Sequence, residues 1–199
     1  MSDEVAFMKK GKSTKKKLEP FEIGELDQYL FGQGNHYEIY EKMGAHKVTY
    51  KGKEGVYFAV WAPNARRVAV VGDFNGWDFE ANYMERQEPV GIYTCFVPGV
   101  KEGDLYKFCI ETQQGKRIFK ADPFANYAEL RPGTASRVTD ISNLKWTDSA
   151  WMTKRETWDH KKNPMSIYEV HLGSWMRHPG REDEGFYTYR EFADAIVKY

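Results

Sequence analysis

The sequence predicts a mainly β chain: a β-sandwich with a short helical segment in front of it and a β/α segment behind it. Five short runs rich in β-branched and aromatic residues lie between positions 48 and 139, at 56–62, 67–74, 91–97, 105–111 and 117–120. Turn dipeptides punctuate them, namely Pro63-Asn64, Asn75-Gly76, Pro98-Gly99 and Gln114-Gly115. On either flank the apolar spacing turns helical, so the β pattern is confined to the middle of the chain.

Residues 1–20 are expected to be a disordered tail. Lys9, Lys10, Lys12, Lys15, Lys16 and Lys17 dominate it, and too few apolar groups accompany them to build a core. A nucleic-acid-binding arm is the sharper alternative, but no aromatics are interleaved with the lysines. Over 21–44 the residues Ile23, Leu26, Tyr29 and Leu30 recur at helical spacing until Gly32 and Gly34, which predicts a short bracing helix. Gly32-Gln-Gly34 lacks a preceding strand and a third glycine, so it carries no dinucleotide signal.

The sandwich is expected over 45–140. Asn75-Gly76 signals a hairpin, because both residues tolerate positive φ. Alternation along 105–111 puts Tyr106, Phe108 and Ile110 on one face and Lys107 and Glu111 on the other, so Lys107 is expected to point outward. Residues 141–163 read as a linker holding Trp146, Trp151 and Trp158.

A further strand is expected at 166–172, with Tyr168, Val170 and Leu172 on one face and Ile167, Glu169 and His171 on the other. That mixed second face suits the interior of a barrel near a polar site. Thr188-Tyr-Arg-Glu191 has the form of a capping box, and Phe192, Ala193 and Ile196 continue it at helical spacing. No stop signal follows before Tyr199, so the expectation is of a chain that ends inside an element.

Composition excludes several classes of partner. With 29 basic and 29 acidic residues the net charge is zero, and no global pull toward nucleic acid or a membrane is expected. No apolar run approaches the ~20 residues of a membrane span and the N-terminus has no signal-peptide core, so a cytoplasmic location is expected. Cys95 and Cys109 sit in apolar runs without metal-like spacing and read as buried reduced thiols. His36, His46, His160 and His178 are scattered, and no metal or cofactor is expected. Aromatics form 16% of the chain, and their flat faces with polar handles serve carbohydrate sites as well as cores.

Several stretches carry a family resemblance. They are Gly44-Ala-His46, Gly55-Val-Tyr-Phe-Ala-Val-Trp-Ala-Pro-Asn-Ala65, Val68-Ala-Val-Val-Gly-Asp-Phe-Asn-Gly-Trp77, Tyr106-Lys-Phe108, Lys120-Ala-Asp-Pro-Phe124, Glu129-Leu-Arg-Pro-Gly133 and Tyr168-Glu-Val-His-Leu-Gly-Ser-Trp175. Together they resemble the N-terminal portion of 1,4-α-glucan (glycogen) branching enzymes. The resemblance implies a family 48 carbohydrate-binding module of immunoglobulin-like topology at 45–140. It also implies the first β/α unit of an α-amylase-type (β/α)8 barrel at 164–199.

In related modules the tryptophan after the Asn-Gly turn stacks on glucose rings, and the lysine of Tyr-Lys-Phe hydrogen-bonds their hydroxyls. By position these are Trp77 and Lys107, with Phe119 as the nearest candidate for a second stacking ring. The competing reading is that Trp77 closes the sandwich and Lys107 is merely solvated. Glu169 and His171 are candidates to support the barrel site without contacting the substrate, and ordinary polar strand positions are the alternative. Glu182-Asp183-Glu184 reads as a solvated loop.

The resemblance further implies a retaining transfer of α-1,4 chains to α-1,6 branches, for which two carboxyl groups ~5 Å apart are needed. The family's catalytic acids lie beyond the motifs quoted, so this chain alone is expected to be inactive. It is expected to be monomeric, with an α-glucan such as glycogen as its partner. The alternatives are a free-standing glycogen-binding module and the front end of another α-amylase relative, such as a debranching enzyme.

Overall fold

The computed structural model describes residues 18–182 and 185–199. The predicted lysine tail falls almost wholly outside the described residues, as do Asp183 and Glu184 of the acidic run. The chain divides into two compact units, one ending at Leu144 and the other spanning Lys145–Tyr199.

The first unit is a sandwich of two antiparallel sheets. Sheet A has the order β1 (Gly44–Tyr50), β2 (Lys53–Trp61), β5 (Ile92–Pro98), β4 (Glu85–Gln87). Sheet B has the order β3 (Arg67–Gly72), β6 (Leu105–Glu111), β7 (Arg117–Lys120), with β8 (Ser136–Arg137) also on β6. A two-residue turn joins β1 and β2: Lys51 and Gly52 both have positive φ, at 50° and 76°, and Tyr50 faces Lys53 across it. Successive left-handed residues match the twist of the strands that they connect.

Alternation along the strands builds the core. Val56, Phe58 and Val60 on β2 and Tyr93 and Val97 on β5 meet Val68 and Val70 on β3 and Tyr106 and Phe108 on β6. Each such side chain, taken fully out of water, stabilises the fold by roughly 1.5–3 kcal/mol before the entropy of ordering it. A buried polar link ties β6 to the segment that follows β7. The Tyr106 hydroxyl donates to Asp122 at 2.6 Å, and the Phe124 N–H donates to the other carboxylate oxygen at 2.8 Å. Burial pushes the Asp122 pKa up, against the pull of these donors.

The outer faces of the two sheets differ. Sheet A is roofed: Ile23, Ile39 and Met43 from the N-terminal segment cover Tyr57, Ala59 and Ile92. Helix α1 (Glu25–Gly32) is shorter than predicted, and its apolar face is not the predicted one. Leu26 and Tyr29 are exposed, whereas Ile23, just before the helix, and Gln28 within it are buried. Tertiary packing of Ile23 against Tyr57, not an amphipathic stripe, anchors the segment.

Sheet B has a partial cover. Phe79 closes over Ala69, Val71 and Cys109, and the guanidinium groups of Arg67 and Arg117 lie 5.6 and 4.0 Å from its ring centroid. This cover sets Glu111 apart from Lys107, with which alternation groups it on one face. Glu111 is buried and bonds Arg67 at 2.7 Å and Arg66 at 3.3 Å, since a carboxylate is tolerated out of water only with such partners.

The second unit holds α2 (Ser149–Glu156), α3 (Leu172–Trp175) and α4 (Tyr189–Ile196). Helix α2 lies inside the predicted linker. Helix α4 has the predicted cap: the Thr188 hydroxyl accepts from the Glu191 N–H, and the Glu191 carboxylate accepts from the Thr188 N–H. The strand expected at 166–172 does not form. Among the described residues, positions 164–171 pair with no strand, and Leu172–Trp175 are helical instead. Backbone groups of an extended segment need a ladder partner, and alternation of side chains alone supplies none. No helix among the described residues is long and apolar enough to cross a membrane.

Candidate carbohydrate-binding face

The uncovered part of sheet B carries two of the three predicted binding residues. In the ladder, Lys107 faces Val71 on one side and, two residues on, Cys109 faces Phe119. Directly opposed residues share a face, and so do alternate residues of one strand. Lys107 and Phe119 therefore stand on the same outer face as diagonal neighbours, beyond the Phe79 cover. Phe119 is 53% exposed.

Trp77 is delivered to the end of β3 by a tightly pinned turn. The Asn75 carboxamide accepts from the Gly72 N–H at 2.9 Å and donates to the Val70 carbonyl at 3.0 Å and to Asn82 at 2.7 Å. Gly76 and Trp77 then take left-handed backbone, with φ of 62° and 63°, and the Trp77 N–H closes the turn on the Gly72 carbonyl at 3.0 Å. The predicted Asn-Gly hairpin is realised as this wider turn, after which Tyr83 bridges back to Ala69.

Asp73 ties the turn to β6. One carboxylate oxygen accepts from the Trp77 indole N–H at 3.2 Å and the other from the Leu105 N–H at 2.8 Å. With its N–H committed, the indole offers its faces as its remaining surface, and the ring is 38% exposed. Trp77 is not among the buried residues of the sandwich core. Lys107 is held as well, its ammonium donating to the Thr134 hydroxyl at 2.6 Å. Thr134 follows the exposed Leu130 in a loop that contains the cis Arg131–Pro132 bond.

Asp73, Asn75 and Thr134 were not among the predicted site residues. Asn75 sat in a recognised turn dipeptide, but the reach of Asp73 to Leu105 and of Thr134 to Lys107 spans distant parts of the chain and left no local signal. The arrangement offers apolar ring faces and a charge-assisted donor in a solvent-open, shallow setting. Such a surface fits a sugar ring, with its C–H side against an aromatic and its hydroxyls toward donors.

Glu169 and His171 lie in the second unit. Glu169 is exposed, and His171 precedes α3 with its Nδ1 3.1 Å from the Ser174 hydroxyl. His171 lines a hollow of about 620 Å³ together with Leu172, Gly173 and residues 186–189, and Glu169 is not part of that lining. Among the described residues no group of three His, Cys, Asp or Glu side chains is placed to hold a metal ion. Cys95 and Cys109 are free thiols; Cys109 is buried, as expected, whereas Cys95 is only partly so.

Residues 42–125 match the model of carbohydrate-binding module 48 (isoamylase N-terminal domain). The chain is 59% identical over 177 residues to the 1,4-alpha-glucan branching enzyme GlgB of Butyrivibrio fibrisolvens, covering 89% of this chain and 28% of that protein. It is 49% identical over 177 residues to the GlgB of Protochlamydia amoebophila, covering 89% of this chain and 24% of the relative. With the GlgB of Rhodopirellula baltica it shares 47% identity over 188 residues, covering 94% and 25%. The chain thus spans about a quarter of the length of the curated relatives that it matches. Residues 42–125 are accordingly a carbohydrate-binding module 48, and the chain as a whole is a homologue of part of the 1,4-alpha-glucan branching enzymes.

Proposed function

We propose that the outer face of sheet B docks an α-glucan chain through Trp77, Lys107 and Phe119, within a polypeptide family that builds α-1,6 branches from α-1,4 chains. The carrying observation is the open end of sheet B, where an exposed indole with a committed N–H and a phenyl ring accompany an outward lysine. The names of the relatives supply the glucan. Polymer held on this face raises the local concentration of chain ends at whatever active site the module is joined to.

In this reading residues 164–199 supply the first β/α unit of a catalytic barrel, and the stretch at 166–172 becomes a strand when neighbouring strands pair with it. Barrels take ~250 residues, against the 55 from Lys145 to Tyr199 (199 − 145 + 1). The 199-residue polypeptide on its own therefore transfers no glucan chain. The same reading takes the protein to be a cytoplasmic monomer whose partner is an uncharged polymer, not nucleic acid or membrane, in keeping with its zero net charge.

Affinity electrophoresis through gels containing glycogen tests the docking face. Retardation of the 199-residue chain that Trp77→Ala weakens about tenfold, with melting little changed, is the expected result. Equal retardation of both proteins, or global unfolding of the variant, sinks the binding role of Trp77. Loss of amylose–iodine colour on incubation with the purified chain overturns the expectation of inactivity.

A further inference from the structure

Sheet A ends at β1, whose outer edge pairs with no other strand among the described residues. A cleft of about 480 Å³ lies along that edge, with Tyr40, Glu41, His46, Lys47, Asn126 and Asp140 in its lining. A second hollow, of about 270 Å³, is lined by Lys47, Val48 and Thr49 of β1, Glu54 and Gly55 of β2, and Val100. The larger volume is within the range of ligand clefts, ~300–1,000 Å³. Lys47 lines both hollows, which lie at successive parts of β1, a strand that at ~3.3 Å per residue is long enough for a linear molecule to follow.

The lining selects by chemistry. Tyr40 presents a ring that is 59% exposed. Glu41 and Asp140 share the lining with the ammonium of Lys47, so both signs of charge are present and an ion of either sign meets a like charge. An edge strand also leaves alternate N–H and C=O groups unpaired, which adds main-chain donors and acceptors. One apolar face among many neutral and balanced hydrogen-bonding groups is the complement of a polyhydroxylated ring. An extended peptide is disfavoured, because a lysine on an edge strand opposes the addition of another strand.

The polar groups are already fixed. The His46 Nε2 lies 2.9 Å from the Met43 carbonyl, and the Lys47 ammonium lies 3.2 Å from the Glu102 carboxylate. The Asp140 N–H donates to that same Glu102 at 3.0 Å, and the Ser142 N–H donates to the Asp140 carboxylate at 2.8 Å. Gly44, which precedes Ala45 of the lining, is confined: its φ is +101°, and a Cβ there would meet the Phe124 carbonyl oxygen at 3.2 Å. A site assembled beforehand spends little of its binding energy on ordering.

We infer that this cleft is a second α-glucan subsite, which lays a short linear maltooligosaccharide along β1 with Tyr40 as the stacking ring and Asn126 and Asp140 as hydroxyl partners. The choice of sugar rests on the function proposed above; the location does not, since this edge belongs to sheet A and the first face to sheet B.

Amide chemical-shift mapping of the ¹⁵N-labelled 199-residue chain with maltoheptaose separates the two sites. Two groups of resonances are expected to move, one around Trp77, Lys107 and Phe119 and the other around Tyr40, His46, Asn126 and Asp140. Tyr40→Ala should weaken the second group's response about tenfold and leave the first unchanged, and Trp77→Ala should do the reverse. Asn126→Ala provides an independent variant should Tyr40 prove necessary for folding, which the spectrum itself reports. Movement of the first group alone overturns the subsite and leaves the docking face standing. Movement of the second alone supports the subsite and removes the docking face, and no movement of either defeats both.

Discussion

The sandwich and the segment after it use similar residues to opposite ends. Both are rich in aromatics, yet every buried hydrophobic side chain among the described residues lies between Ile23 and Val138. Beyond Leu144 the rings meet each other at the surface. Trp175 packs edge-on against Phe192 and Tyr199, Tyr168 stacks on Tyr199, and Trp146, Trp151 and Trp158 are exposed at 76, 60 and 43%. Aromatic content therefore does not make a core. Two opposed layers do, because each ring then loses water on both sides, and sequence positions 145–199 provide helices without a second layer.

The sharpest way to break this comparison is to cut into each region in turn. Phe58→Ala, in the centre of the sandwich, should cost about 3–5 kcal/mol and lower the cooperative melt of the whole first unit. A melt that scarcely moves would show that the two-layer core does not govern stability. Removing one donor from the buried link, as in Tyr106→Phe, should cost about 1–3 kcal/mol, because Asp122 keeps its place without its hydroxyl partner; urea titration measures it.

An electrostatic prediction concerns the roof of sheet A. Burial works against the Asp27 carboxylate, but Lys42 at 2.6 Å, His36 at 2.9 Å and the Gly24 N–H hold its pKa below the ordinary 3.8. An acid with a lowered folded-state pKa stabilises the fold above its unfolded value and loses that contribution as the pH falls through the folded one. Asp27→Asn should therefore lower stability at neutral pH and flatten its decline on acidification below about pH 4, read from melts across that range. The smallest effect is expected from Trp175→Ala. It should leave the sandwich melt unchanged while hastening proteolysis beyond Leu144, and a drop in the sandwich melt would show that the two regions share stability.

How far the fold was legible follows from the same contrast. Strands β2, β3, β5, β6 and β7 announced themselves, because β-branched runs bounded by turn residues fit a pleated, half-buried surface whichever partner they find. Strand β1 was not recognised within Gly44–Tyr50, where His46, Lys47 and Thr49 dilute the pattern, and β4 and β8, at three and two residues, are too short to show a period. The stretch 166–172 misled for the opposite reason: its alternation is genuine, but pairing is a property of neighbours. At the candidate site, alternation was enough to turn Lys107 outward. It could not foresee the burial of Glu111, which depends on arginines and Phe79 arriving from elsewhere, nor the grip of Asp73 on both Trp77 and Leu105.

The left-handed backbone of Trp77 has a practical consequence. An L side chain in that conformation carries roughly 1–2 kcal/mol of steric penalty, which glycine would relieve. A Trp77→Gly chain should keep the turn and melt later, yet lose the ring. Selecting variants of this domain for heat resistance alone will therefore tend to erase the ring on which the proposed glucan docking rests, and any engineering programme needs a glucan-retention screen alongside the thermal one.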